Sequence, residues 1–418
     1  MILVRLTVLF KLTYKSLLNR KITFIFSVIS IAISVFLLLG IQKSVKISKH
    51  HFINTINSTD IIVAAPNGSL DILLKTIFHI SEPLKEISYD SYEKISNFEE
   101  VKWSVPLSLG DSFHGFDVLS TNSDYFKYYR YATDKQLFFK DGRNFDDFFD
   151  VVIGSEVAKK LDLKLGDTIH ISHGSAKEHH THKNRNFNVA GILRRSFTPN
   201  DTTVFIQLKA DEAIHLEWQT NHFVDMHISD ERLKNMRVKP KHISAILIGL
   251  HNPADILSVE DKINHLKSEN LKAIIPAKAL SKLFKLMQNS QNILTLISTA
   301  LFFTALLTML SSMFSSLNER KREVAILRSI GANSKVIFQL FMIESAITVL
   351  SAIMLGVIVL DIFMLILSFY VGVEFSYMLS LQELLLLSTL FVVGLLSSLL
   401  PAIKSYKGSL KDGLTVKS

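Results

Sequence analysis

Five of the chain's fifteen histidines fall in one short stretch, at His170, His173, His179, His180 and His182. Neutral imidazole is a common ligand of Zn²⁺, and in an extended strand His180 and His182 would project from one face, so the spacing permits metal capture. Gly174, Ser175 and Lys177 are turn-like, and Glu178 is the one carboxylate at hand to orient a ligating ring. The stretch therefore reads first as a polar hairpin between two strands, with metal capture as the alternative. Other chemistry is thin. Asp201 and Glu212 are scattered carboxylates, and no Ser-His-Asp or Glu-x-x-His grouping supports a hydrolase. The absence of cysteine excludes thiol chemistry and thiolate metal sites, and leaves any domain in an oxidising compartment to be held by its core alone. No Gly-x-x-x-x-Gly-Lys-Ser/Thr occurs, so this chain does not bind and hydrolyse ATP through a phosphate loop.

A second stretch suggests contact rather than catalysis. From Asn318 to Ala332 the sequence is a short charged helix between two apolar segments, with cations at Arg320, Lys321, Arg322 and Arg328 and a further one at Lys335. Val324, Ile326, Leu327 and Ile330 leave an apolar face, suited to a membrane surface or a partner's groove. Gly331 stands where a helix C-terminal cap belongs.

These residues must be positioned by a chain that is 48% hydrophobic, too apolar for an ordinary soluble protein. A bilayer core of about 30 Å needs roughly 20 apolar residues in a helix. The runs that qualify are 22–41, 293–314, a stretch within 336–370 and 384–400, the last closed by Pro401. The first lacks a small-residue cleavage pattern after it, which favours an uncleaved span over a signal peptide. The third would be roughly 50 Å long if wholly helical, so one end protrudes or the helix tilts. Cations precede the first run, separate the second from the third and follow the fourth, whereas 371–383 has none. By the positive-inside rule, segments 1–21, 315–335 and 401–418 are cytoplasmic, and 42–292 and 371–383 lie outside. Lys43, Lys46 and Lys49 run against the rule, but a domain of this length translocates largely regardless of charge. The net charge of +8 is clustered beside the apolar runs, which suits anionic lipid headgroups and not nucleic acid.

Within 42–292, Ile41, Val45, Phe52 and Ile56 fall near one helical face, as do Leu280, Leu283, Phe284, Met287 and Leu294. The two faces could pair as a stalk. Beyond it, strands are expected at 61–64, 151–154, 168–172, 187–193 and 203–208, and helices at 70–79 and 156–161. A β-α-β pattern covers 244–250, 254–269 and 271–275, with Pro253 at the helix start. The fold class is an α-helical membrane protein with four transmembrane helices and an α+β extracytoplasmic domain of two subdomains between helices 1 and 2.

The run Glu319-Arg-Lys-Arg-Glu-Val-Ala-Ile-Leu-Arg-Ser-Ile-Gly331-Ala resembles the coupling motif Glu-Arg-x-Arg-Glu-Ile-Gly-Ile-x-Arg-Ala-x-Gly-Ala of MacB/FtsX-type permeases, the ABC transporter class that includes LolC and LolE. Phe341-Met-Ile-Glu344-Ser, the segment 152–168, Val189-Ala-Gly-Ile-Leu193 with Thr198-Pro-Asn200, and Leu17-Leu-Asn-Arg-Lys21 are similar to further parts of that family, the middle ones to its MacB-type periplasmic core domain. Ala325 replaces the family's usual Gly. The resemblance implies a permease in the inner membrane with a second permease copy, identical or paralogous, and two copies of a separate ABC ATPase that carries the ATP and Mg. It also implies mechanotransmission: ATPase closure moves the coupling helix, the spans and then the periplasmic domain, where a periplasmic adaptor or substrate protein is a further partner. Glu319, Arg320, Arg322, Glu323, Ile326, Arg328 and Gly331 would form the ATPase contact, with Arg320 and Lys321 also within reach of lipid phosphates.

An ionised carboxylate inside a bilayer costs about 3 kcal/mol or more, so Glu344 and Asp361 in the third run should each face a helix partner or water. No facing ionisable group suggests a proton relay, and Glu344 reads as structural or coupling-related, with Asp361 near the outer surface. Two other functions compete. The chain could activate a periplasmic cell-wall hydrolase, as FtsX-like regulators do, or serve a zinc-handling or zinc-sensing system through His170–His182.

Overall fold

The computed structural model describes residues 2–56, 59–80, 82–132, 134–173, 180–181, 186–213, 239–319, 333–371, 379–401 and 403. The chain divides into two compact units, Met1–Ser48 with Met287–Ser418, and Lys49–Leu286. The helices among the described residues are α1 (Ile2–Asn19), α2 (Lys21–Thr55), α3 (Ser69–Phe78), α4 (Tyr89–Ser96), α5 (Asp124–Tyr128), α6 (Ser155–Leu161), α7 (Ile256–Asn264), α8 (Pro276–Glu319), α9 (Ser334–Val371) and α10 (Leu381–Ser397).

Among the described residues, helices long and apolar enough to cross a membrane lie at Lys21–His50, Pro276–Phe314, Lys335–Tyr370 and Leu381–Pro401, most of their length in the first unit. Ile31, Val35 and Leu39 recur every four residues along α2 and are fully buried, packing with Phe302, Leu306 and Met309 of α8, Phe341, Val349 and Leu360 of α9, and Leu387 and Leu390 of α10. Leu296, Ile362 and Phe369 stay exposed, as a lipid-facing surface requires. Hydroxyls on these helices turn inward on their own backbone. Thr295, Ser298, Thr299, Thr304 and Thr308 of α8 each donate to the carbonyl four residues earlier, so none presents an unmet donor to an apolar medium. The start of α10 is fixed by a capping box: Ser380 Oγ accepts from Glu383 N, and a Glu383 carboxylate oxygen accepts from Ser380 N.

Among the described residues, the second unit is built on one mixed twelve-stranded sheet. Its main strands are β1 (Ile61–Ala64), β2 (Val101–Phe113), β3 (Phe116–Thr121), β4 (Phe139–Gly142), β5 (Asp150–Ile153), β6 (Phe187–Leu193), β7 (Thr203–Gln207), β8 (Ala245–Leu250) and β9 (Lys272–Ile274), in the order β9-β1-β8-β2-β3-β7-β5-β6-β4. The long β2 joins two halves: residues 101–107 pair with β8, and residues 108–113 pair with β3. β1, β5 and β8 are buried at every position, so their near-continuous apolar runs carry no alternation. The expected β-α-β pattern of β8, α7 and β9 is present in split form, because β1 lies between the two strands and is antiparallel to both. The helix of that unit is shorter than the expected 254–269, since Pro253–Asp255 forms a 3₁₀ turn and the helix ends at Asn264.

Candidate functional site

The stretch expected to couple to an ATPase is described only at its start. Glu319 closes α8, while Arg320, Arg322, Glu323, Ile326, Arg328 and Gly331 lie outside the described residues. The described residues on either side give the packing of the long apolar helices and, in the second unit, the contacts of the end of α2 with the sheet.

In the first unit, α2 and α9 approach closely at Gly356. A Cβ placed there would come within 2.8 Å of the Ala32 carbonyl oxygen and 3.0 Å of Val35, so only glycine admits this separation. One turn further, Lys43 Nζ lies 3.6 Å from Asp361 Oδ1, with Lys43 almost wholly buried. On the same pair of helices Phe36 packs edge-on against Phe363 at 5.7 Å. Nearer the start of α9, Ser345 Oγ donates to the Gly394 carbonyl of α10 at 3.3 Å. Glu344 is buried at 9% exposure and engages a neighbour within the fold.

In the second unit, the end of α2 is tied to the sheet. Tyr129 Oη donates to the Thr55 carbonyl at 3.0 Å, and Phe52 packs on Phe78 at 5.0 Å and on Phe284 at 6.4 Å. Lys49 Nζ sits 5.8 Å above the Phe284 ring. Ile56, Leu280, Leu283 and Phe284 share one cluster with Ile72, Leu107, Tyr125, Tyr129 and Phe205. Phe52 and Ile56 from the first face picked out by periodicity and Leu280, Leu283 and Phe284 from the second thus share this core, while Leu294 is 49% exposed.

Two motifs singled out in the sequence, Val152-Ile-Gly-Ser and Thr198-Pro-Asn, form one buried polar knot. A Cβ at Gly154 would overlap the carbonyl oxygens of Asn200 and Asp201, and Gly154 N donates to the Thr203 carbonyl at 2.9 Å. Asp201 accepts from Ser196 N at 2.8 Å, Ser196 Oγ at 2.9 Å and Phe197 N at 2.6 Å. Burial raises its carboxyl pKa, and these donors pull the other way. Tyr125 Oη donates to Asn200 Oδ1 at 2.7 Å, and burial keeps both Tyr125 and Tyr129 firmly protonated. His79 Nδ1 lies 3.1 Å from Thr203 Oγ1, whose single proton goes to the Pro199 carbonyl, so Nδ1 carries the proton in that bond. Burial, then Lys75, lowers the His79 pKa to about 4. Asp201 is therefore a loop-fixing carboxylate.

The histidine stretch is partly described. His170 is exposed and held by a contact of its own, the two-residue strands 172–173 and 180–181 pair with His173 opposite His180, and His179 and His182 lie outside the described residues. Among the described residues no group of three or more His, Cys, Asp or Glu could hold a metal ion. The Lys43–Asp361 pair, the Tyr129–Thr55 tie and His79 escape sequence reasoning. Only the first leaves a signal, two opposite charges at the same ends of two apolar runs.

Residues 24–266 match the family model of the MacB-like periplasmic core domain, and residues 295–410 match that of the FtsX-like permease C-terminal region. A protein of Staphylococcus haemolyticus (strain JCSC1435), named as hemin transport system permease HrtB, is 24% identical over 260 residues, which span 60% of this chain and 60% of that one. Among solved structures, the periplasmic region of MacB from Actinobacillus actinomycetemcomitans aligns at 12% identity, with a TM-score of 0.34 over 56% of this chain and 97% of that one. The extracellular domain of the noncanonic ABC-type transporter YknZ from Gram-positive bacteria aligns at 14% identity, with a TM-score of 0.30 over 52% and 99%. With the first family model covering more than half its length and the second most of the remainder, the chain belongs to the MacB/FtsX-type family of ABC transporter permeases.

Proposed function

We propose that this chain is the transmembrane subunit that carries ATP-driven motion from a separate pair of ABC ATPases to its own external domain, for export, extraction or release of a substrate. It pairs with a second permease, sits in the cytoplasmic membrane with four spans, and keeps both termini inside and residues 42–292 outside. Residues 319–331 dock the ATPase, with Arg322 and Glu323 as the principal contacts. The observation that carries the reading is the anchoring of α2. The helix runs from Lys21 to Thr55 without a break, and its last turns are fastened into the external core by Phe52, Ile56 and the Tyr129–Thr55 bond. A helix seated in that way transmits displacement better than a loop would, because its backbone bonds are already satisfied and its end is packed.

Simultaneous charge reversal, Arg322→Glu with Glu323→Arg, is expected to weaken co-purification of the ATPase while membrane insertion is unchanged. Undiminished co-purification would remove the docking assignment. The match to the FtsX-like C-terminal region equally supports a second reading, a regulator of an external cell-wall hydrolase with no transported molecule. Capture of such a hydrolase on the external domain, against ATP-dependent release of a lipid, lipoprotein, peptide or metal, separates the two. The name of the staphylococcal relative makes hemin the first small molecule to assay. A zinc-handling variant rests on His173 and His180 being register partners. It needs further ligands from the same stretch, and titration calorimetry of the full chain showing no Zn²⁺ binding would remove it.

A further inference from the structure

A cavity of about 610 Å³ opens in the first unit between the α1–α2 junction, the last turns of the apolar part of α8 and the cation-flanked beginning of α9. That volume is within the range of small-ligand pockets. Its lining combines opposite charges. Arg20 and Lys21 come from the junction, Glu344 comes from α9, and the buried hydroxyls of Ser27 and Thr348 stand with Met309 and Met313 on the remaining walls. Arg20 and Glu344 each already engage a neighbour within the fold, so a ligand would join an existing network rather than meet bare charges.

Each sign excludes a class of ligand. A phosphate monoester or a plain carboxylate would be repelled by Glu344, and a simple amine by Arg20 and Lys21. A ligand with an anion and an N–H-bearing cation a few ångströms apart satisfies both. An apolar surface borders the site: Ile25 and Phe26 are exposed on α2 beside the cavity residues Phe24 and Ser27, and Ile22 of the lining is itself exposed. The 38 residues of α9 extend to roughly 57 Å at 1.5 Å per residue, well beyond a bilayer core of about 30 Å, so Glu344 can lie near headgroup level.

We propose that this cavity binds the headgroup of an amino-phospholipid, a phosphodiester carrying a primary ammonium, with the phosphate on Arg20 and Lys21 and the ammonium donating to Glu344. Lipid occupancy there wedges the α1–α2 junction against α8 and α9, at the end of the spans next to the coupling segment. Phosphatidylethanolamine meets the description. Phosphatidylcholine has the same charges and no N–H to donate, and phosphatidylglycerol has no cation.

The test is native mass spectrometry of the full-length chain, delipidated in detergent and titrated with each of the three lipids and with the mono- and dimethylated ethanolamine lipids. One phosphatidylethanolamine per chain should be retained roughly tenfold more tightly than phosphatidylcholine or phosphatidylglycerol, with stepwise loss along the methylation series. Glu344→Gln should bring phosphatidylethanolamine down to the phosphatidylcholine level, whereas Lys21→Ala should weaken all three lipids alike. Equal retention of the lipids by the wild-type chain overturns the proposal, as does an ethanolamine preference that survives Glu344→Gln. Displacement of the lipid by millimolar inorganic phosphate overturns it too, because the site would then be a free-phosphate site. The methylation series uses the wild-type protein alone, so it decides the matter even where Glu344→Gln fails to fold.

Discussion

Lys43 and Asp361 face each other across two helices, Nζ to Oδ1 at 3.6 Å, with the lysine side chain 9% exposed and the aspartate 35%. Each residue alone is a misplaced charge in an apolar helix; together they are a clamp between α2 and α9. Removing one partner of a fully buried pair costs about 3–5 kcal/mol, and the partial exposure of Asp361 reduces the expectation here to about 1–3 kcal/mol. Lys43→Met and Asp361→Asn should each lower the melting temperature of the detergent-solubilised chain. The exchanged pair, Lys43→Asp with Asp361→Lys, should recover at least half of the loss. Additive losses in the double variant would mean that the two charges do not act as a pair.

The same helix pair yields a graded prediction. At Gly356 a new Cβ would meet a backbone carbonyl at 2.8 Å, and backbone does not yield as a side-chain tip does. At Gly40, on the same interface, it would meet only Leu360 Cδ1 at an ordinary 3.5 Å. Gly356→Ala is expected to destabilise by about 1–3 kcal/mol, the usual cost of overpacking, and Gly40→Ala to be close to neutral. Melting curves of the two variants in one detergent check this, and equal effects would contradict the packing described.

These helices show where the sequence was legible and where it was not. Apolar runs of membrane length stand out by composition, and β1 and β6 occupy the expected residues, 61–64 and 187–193, because their patterns are unbroken. Strands β2 and β3 gave no such signal. β2 includes Pro106 and Gly110, and five of its thirteen residues are only half-buried, so it neither alternates cleanly nor reads as a continuous apolar run. Yet it is the strand both sheet halves share. At the candidate site the limitation is different in kind. Asp361 was recognisable as needing a partner, but which charge would meet it depends on helix rotation and tilt, which no single helix encodes. Tyr129 and His79 are ordinary residues locally, and their importance comes from contacts 74 and 124 residues away in sequence.

The tie between Tyr129 and Thr55 can be cut without emptying the core. Tyr129→Phe keeps the ring, its stacking on Tyr125 at 5.1 Å and its burial, and removes one donor. A stability loss of about 1 kcal/mol is expected from the lost hydrogen bond. If the end of α2 conveys motion to the sheet, the variant should also lose transport coupling while the ATPase still assembles and hydrolyses ATP. Full coupling with the same loss of stability would confine Tyr129 to a structural part.

His79 gives the second unit a defined sensitivity to acid. Burial holds its folded pKa at about 4 against an ordinary 6.5, so between these values the unfolded chain takes up a proton that the folded one refuses. The contribution of neutral His79 is therefore fully present above pH 6.5 and is lost as pH falls toward 4, by at most about 3 kcal/mol. Asparagine suits the test. His79 has φ 56°, the left-handed cap position after α3, which asparagine tolerates better than most residues, and its amide can still reach for a hydroxyl. His79→Asn should be less stable than the wild type at pH 7.5, where the imidazole bond to Thr203 is intact, and the gap should close or reverse by pH 4.5. Subtracting the two melting-temperature profiles cancels the half-buried Asp117 and the buried Asp201, which titrate in both proteins and whose raised values act in the opposite sense. Parallel profiles from pH 7.5 to 4.5 would show that His79 is not the group being titrated.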